Sequence, residues 1–129
     1  MRRDLFSNVA VAPAIVPAVK SASADGTTVD LAGYNRVGFA ISTGAIAGDG
    51  DFGVSVEESS NGSDWATASA DKVETDAPAT LEANSAYRVN YRGPARYARL
   101  QLVKAGGTSI ALSATAILGD PAVTPISFE

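Results

Sequence analysis

Apolar side chains recur at every second position in four stretches of this chain, and that period decides what it can fold into. Val37, Phe39 and Ile41 alternate with Gly38, Ala40 and Ser42, and Phe52, Val54 and Val56 with Gly53, Ser55 and Glu57. Ala98, Leu100 and Leu102 alternate with Arg99, Gln101 and Val103, and Ile110, Leu112, Ala114 and Ala116 with Ala111, Ser113 and Thr115. Successive side chains of a strand point to opposite faces, so each stretch presents one face to a core. No stretch carries a convincing helical period, and no internal repeat is visible.

Turn chemistry separates the alternating stretches. Gly44 to Gly50 reads as a glycine-rich loop. Asn61-Gly62 reads as a hairpin turn joining Phe52–Ser59 to Asp64–Ser69, because both residues tolerate positive φ. Gly93-Pro94 breaks the chain between Tyr87–Arg92 and Arg96–Lys104, and Gly106-Gly107 precedes the last long strand. Roughly eight short strands at regular spacing predict an all-β fold, an antiparallel two-sheet β-sandwich of jelly-roll type. At 129 residues the chain is one domain by length and long enough to bury a core without disulfides. Phe39, Ile41, Val54, Val56, Leu100, Leu102, Ile110 and Leu112 are expected inside.

The sandwich is expected over residues 21–118, between an extended N-terminal arm (1–20) and an extended C-terminal tail (119–129). Pro13 and Pro17 remove backbone donors and push the residues before them toward extended geometry, which allows an edge strand or a strapped-on tail, and Pro121 and Pro125 repeat that style. Ordering such arms costs about 1–2 kcal/mol per residue of backbone entropy. Burial of Leu5, Phe6, Val9, Ile15, Ile126 and Phe128 against neighbouring molecules is expected to offset it. The opening also imitates a signal peptide, with Arg2 and Arg3 before an apolar run and Ser21-Ala22-Ser23-Ala24 after it. Asp4, Asn8 and the two prolines argue against that reading.

The chain contains no cysteine and no histidine, which removes a disulfide frame, a thiolate, the usual general base and the commonest zinc ligand. The net charge of −4 gives no bulk attraction to nucleic acid or to an anionic membrane. No apolar run approaches the roughly 18 residues a membrane helix needs. Asp49 with Asp51, and Glu57 with Glu58, are the tight carboxylate groupings. The second pair is adjacent on a strand and points to opposite faces. Gly48-Asp49-Gly50-Asp51 lacks the spacing of a calcium loop. The expectation is therefore no catalytic residue, no metal and no cofactor.

Trp65 and Tyr34 are candidate sugar-stacking platforms, whereas Tyr87, Val89 and Tyr91 share a core face and Arg88, Asn90 and Arg92 the opposite one. Charge is segregated along the chain. Asp49 to Glu82 holds nine acids and one base, Lys72, while Ala83 to Leu118 holds Arg88, Arg92, Arg96, Arg99 and Lys104 and no acid. Two readings are open: cross-strand pairing within one molecule, or a two-signed surface that docks its arginines on a partner.

The segment Leu31-Ala32-Gly33-Tyr34-Asn35-Arg36-Val37-Gly38-Phe39, then Phe52–Ser59 and Asn61-Gly62-Ser63-Asp64-Trp65, resembles small structural proteins of tailed phages, prophages and gene transfer agents. Ala95-Arg96-Tyr97-Ala98-Arg99-Leu100 resembles the strand opening of discoidin-like jelly rolls. The match covers roughly residues 27 to 104 and is a hairpin style, without a catalytic signature. The resemblance implies a virion role. The leading expectation is a non-enzymatic capsid decoration (cement) protein on the particle surface, made in the host cytoplasm. It would be homo-oligomeric, with a trimer favoured, and would bind the major capsid protein or other virion proteins, with no nucleic acid and no membrane partner. A neck, tail or head-spike component is a close variant, and a carbohydrate-binding β-sandwich module is the alternative. The interface residues expected are Leu5, Phe6, Val9, Ile15, Arg88, Arg92, Arg96, Arg99, Ile126 and Phe128.

Overall fold

The computed structural model describes residues 9–121. Ten strands run in chain order: β1 (Val9–Lys20), β2 (Ala24–Asp25), β3 (Val29–Asp30), β4 (Tyr34–Ala47), β5 (Asp51–Ser59), β6 (Ala66–Thr67), β7 (Val73–Thr75), β8 (Ala86–Tyr91), β9 (Tyr97–Gly106) and β10 (Ser109–Pro121). One turn of 3-10 helix, Ala70–Lys72, precedes β7. The first sheet has the order β1-β10-β4-β8-β7 and the second β2-β9-β5-β6, with β3 also paired to β9. Every pairing is antiparallel. The fold is the expected antiparallel β-sandwich.

The alternating residues form its interior. Val37, Phe39, Ile41, Val89 and Tyr91 from the first sheet meet Phe52, Val56, Ala98, Leu100 and Leu102 from the second, and β10 adds Ile110, Leu112, Ala114, Ala116 and Leu118. Of the eight residues expected inside, Val54 alone is half-buried. Register is fixed because a slip of one residue would turn this whole set outward.

Two turns differ from the sequence reading. The loop expected over Gly44–Gly50 is mostly strand, since β4 continues to Ala47. The reversal is confined to Gly48 (φ 57) and Asp49 (φ 55), closed by the Gly50 amide donating to the Ala47 carbonyl. Two consecutive left-handed residues make the tight reversal that suits twisted strands, and Asp is among the side chains that tolerate it. The Asn61-Gly62 reversal lies where expected, and β5 pairs with β6 through Glu57–Thr67 and Glu58–Ala66. It is a wider, side-chain-capped loop with positive φ at Gly62 and not at Asn61. The Asn61 Oδ1 accepts from the Ser63 and Asp64 amides, and the Ser59 Oγ accepts from the Asn61 and Gly62 amides.

The N-terminal boundary is corrected. Residues 9–20 are extended as expected and form the edge strand of the first sheet rather than a separate arm, paired along β10 from Val9–Gly119 to Lys20–Ile110. Ile15 is buried in the molecule's own core and Val9 is half-buried. The prolines are compatible with this because an edge strand leaves one side without ladder bonds. At the other end, Gly119–Pro121 belong to β10 rather than to a tail. Leu5, Phe6, Ile126 and Phe128 lie outside the described residues.

Candidate interaction surface

The four arginines expected at an interface are engaged within the molecule. Arg88 bridges Asp76 at 2.9 Å, Arg92 bridges Glu74 at 2.9 Å, and Arg96 reaches both carboxylate oxygens of Asp30 at 3.1 and 3.0 Å. Arg99 donates to Glu57 at 2.8 Å and lies 3.5 Å from Asp25. Segregation of charge along the chain thus becomes pairing across strands. Antiparallel neighbours bring acid-rich and base-rich segments side by side, and the cross-strand alternative holds for these residues. The Arg96 guanidinium holds the Asp30 carboxyl below its ordinary range.

The outer face of the second sheet is largely paired with itself around Arg99, with Val103 exposed opposite Gly53. Arg99 stacks on Trp65, 4.2 Å from the ring centroid, while its guanidinium spans Glu57 and Asp25. Gln101 links Asp25 to Ser55. Only 17% of the Arg99 side chain and 12% of Glu57 remain exposed. One face of Trp65 is therefore occupied by Arg99, and Tyr34 packs against the core. Both rings are half-buried, and Tyr34 lines a recess with Arg36, Arg92 and Arg96.

Glu57 and Glu58 do point to opposite faces. Glu58 accepts from the Tyr91 hydroxyl at 2.5 Å and from Lys72 at 2.9 Å, tying the second sheet to the first. Those two donors lower the Glu58 pKa, while burial, then the adjacent carboxylate, push Tyr91 up to about 12. The Ala95 amide donates back to the same hydroxyl. With each group committed, the cluster is a latch between sheets. At the other end, Asp51 accepts from the Thr80 hydroxyl at 2.8 Å. No group of three or more metal-ligating side chains is present among the described residues.

The outer face of the first sheet is built from other material. One row crosses all five strands: Val11, Ile117, Gly38, Asn90 and Glu74. A second runs Pro13, Thr115, Ala40 and Arg88. Small residues in the middle leave a trough of about 630 Å³ with Gly38 on its floor. Ile117 stands on one side, and Glu74, Asp76 and Arg88 on the other. Val11 (68% exposed), Val16 (58%), Val19 (69%) and Ile117 (38%) face solvent on β1 and β10. The sequence reading missed this surface. Its signal was present in β10, where the outward series Ser113, Thr115 turns apolar at Ile117.

The fold and this surface define a two-sheet antiparallel β-sandwich with one outer face that is mostly polar and self-paired, apart from exposed Val103, and one that is partly apolar and concave. No family model, curated protein or solved structure matches the chain.

Proposed function

We propose that this chain is a non-enzymatic structural protein of a tailed-phage particle, a capsid decoration protein that works by packing against neighbouring protein surfaces. The observation that carries the reading is the outer face of the first sheet, where exposed Val11 and Ile117 stand beside a trough that Arg36, Glu74, Asp76 and Arg88 also line. Contiguous apolar surface costs solubility, and on soluble domains it marks places where another protein sits. The hairpin from Glu58 to Trp65 supports the particle context through its resemblance to phage structural proteins. So does the strand path, which we read as a jelly roll because β1 pairs with β10, β2 and β3 with β9, and β4 with β8 in nested order. Jelly rolls serve in viral capsids, although fold alone assigns no function.

The clamp is placed on the sheet face rather than on residues 9–20 or on the arginines, since both are used within the molecule. The partners are the major capsid protein and further copies of the chain. The test adds purified protein to shells assembled from the major capsid protein encoded beside it. Saturable occupancy that falls at least tenfold in Val11→Asp/Ile117→Asp is the expected result. Absence of binding by the unaltered chain, or full occupancy by the double variant, rejects the reading.

A further inference from the structure

The turn between β5 and β6 holds the chain's single Asn-Gly pair, and that pair is chemically labile. An asparagine side-chain amide is open to attack by the backbone nitrogen of the residue that follows it. Glycine shields that nitrogen least, because it carries no side chain. The other asparagines, Asn8, Asn35, Asn84 and Asn90, are followed by Val9, Arg36, Ser85 and Tyr91, whose side chains crowd the approach. The turn does not leave glycine optional, since Gly62 sits at φ 79, where a side chain is strained.

Atoms balance over two steps. Hydroxide removes the Gly62 amide proton, the nitrogen bonds to the Asn61 Cγ, and the Nδ2 group takes up a proton and leaves as ammonia. Water then opens the cyclic imide at either carbonyl. One opening gives aspartate. The other gives isoaspartate, whose main chain runs through the former side chain. The net exchange is water in and ammonia out.

The folded turn holds this chemistry back. The Gly62 amide donates to the Ser59 Oγ at 2.9 Å, and Ser59 is only 3% exposed. The Asn61 Nδ2 donates to the Asp64 Oδ2 at 2.9 Å. Ring closure forfeits both bonds whatever its path, because the imide nitrogen carries no hydrogen and the ammonia departs. The Asn61 Oδ1 accepts from the Ser59 hydroxyl at 3.0 Å and from the Ser63 and Asp64 amides at 2.9 Å. Donors placed so would stabilise an oxyanion. They gain nothing while the attacking nitrogen keeps its hydrogen on Ser59. Asn61 itself is exposed, so water is at hand once the turn opens.

The product puts a negative charge where Nδ2 stood, 2.9 Å from the Asp64 carboxylate, and like charges at that range repel. Little else holds the turn. β6 meets β5 through Glu57–Thr67 and Glu58–Ala66, and Trp65 rests on Arg99 at 4.2 Å. We infer that Asn61 is a modification site: Gly62 converts it to aspartate or isoaspartate, Ser59 restrains the reaction in the folded chain, and the new carboxylate opens the turn against Asp64 and loosens Trp65 from Arg99. Conversion is one-way, so it marks the age or past unfolding of a molecule. Nothing in this chemistry draws on the outer face of the first sheet.

Mass spectrometry of the peptide containing Asn61 follows the reaction, since its mass rises as the amide becomes an acid. The unaltered chain is incubated in mildly alkaline buffer, folded and in guanidinium chloride. Conversion in the folded chain is expected to be slower by about tenfold or more, the effect of two forfeited hydrogen bonds, one of them to a carboxylate. Ser59→Ala, shown to be folded by circular dichroism, is expected to convert several-fold faster than the folded unaltered chain and at an equal rate in denaturant. Equal rates for the unaltered chain in both conditions overturn the inference, as does a folded Ser59→Ala that converts no faster. If Ser59→Ala does not fold, the ratio for the unaltered chain decides. Asn61→Asp stands in for one product, and Trp65, the single tryptophan, reads the turn by fluorescence. A red-shifted emission and stronger quenching by acrylamide are expected. Asn61→Asp/Asp64→Asn is expected to reverse both, because an amide at position 64 donates to the carboxylate at 61. Emission unchanged in Asn61→Asp, or not reversed in the double variant, overturns the opening of the turn by charge.

Discussion

The outer faces of the two sheets have the same backbone and opposite surfaces. On the second sheet, Glu57, Arg99, Asp25, Gln101 and Ser55 satisfy one another beneath Trp65. On the first, Arg88 and Arg92 pair at β7 and β8, and toward β10 and β1 the surface gives way to Gly38, Ala40, Ile117 and Val11. A polar network that uses all its donors and acceptors has nothing left to offer a partner. Apolar groups left in water gain by being covered. The comparison therefore separates a surface largely paired within the molecule from one that leaves apolar groups in water.

Changes in the second face are expected to cost stability and leave association untouched. The largest effect belongs to Arg99→Met. It strands Glu57 in a mostly covered position, and losing a hydrogen-bonded charge partner costs about 2–3 kcal/mol. Urea unfolding would measure it, and a change below experimental error would show that water, not Arg99, already satisfies Glu57. Next is the latch between sheets. Tyr91→Phe removes a donor to Glu58 and an acceptor from the Ala95 amide, for a loss of about 1–2 kcal/mol in the same assay.

The latch also sets a pH response. The Glu58 pKa is lowered in the folded state, so its stabilisation is complete above the ordinary glutamate value of 4.5 and is lost as pH falls through the folded value. Tyr91 is raised to about 12, so its contribution is complete below the ordinary tyrosine value of 10.0 and is lost as pH rises from there toward 12. Melting temperature is expected to decline at both extremes. Glu58→Gln should flatten the acid limb and Tyr91→Phe the alkaline one; limbs unchanged by these substitutions would place the titrating groups elsewhere.

The smallest stability effect belongs to the first face. Ile117→Ser is expected to change unfolding free energy by no more than about 0.5 kcal/mol, as exposed positions usually do. Its association constant is nevertheless expected to drop several-fold by sedimentation. A stability loss as large as that of Arg99→Met would mean that Ile117 is part of the core and would erase the contrast between the faces.

The arginines show where sequence reading ran out. Arg88, Arg92 and Arg96 followed one another at every fourth position in an acid-free stretch, and the sequence left open whether they served the molecule or a partner. Asp76, Glu74 and Asp30 supply partners within the molecule from 12, 18 and 66 residues away. The trough is subtler. Gly38 and Ile117 are unremarkable in sequence, and they become neighbours because β4 and β10 are paired in one register.

Period-two alternation by itself determined that this chain is a sandwich and which side chains fill it, because strand geometry sends alternate residues to opposite faces and water sorts them. Length, together with the absence of cysteine and histidine, bounded size and chemistry in the same local way. Only the tertiary structure decided that residues 9–20 close the first sheet, that each of those arginines meets a carboxylate, and that Gly38 and Ile117 line one trough. Those are facts of strand order. Pairing partners are chosen by the summed burial of the whole core, which no single segment of the sequence contains.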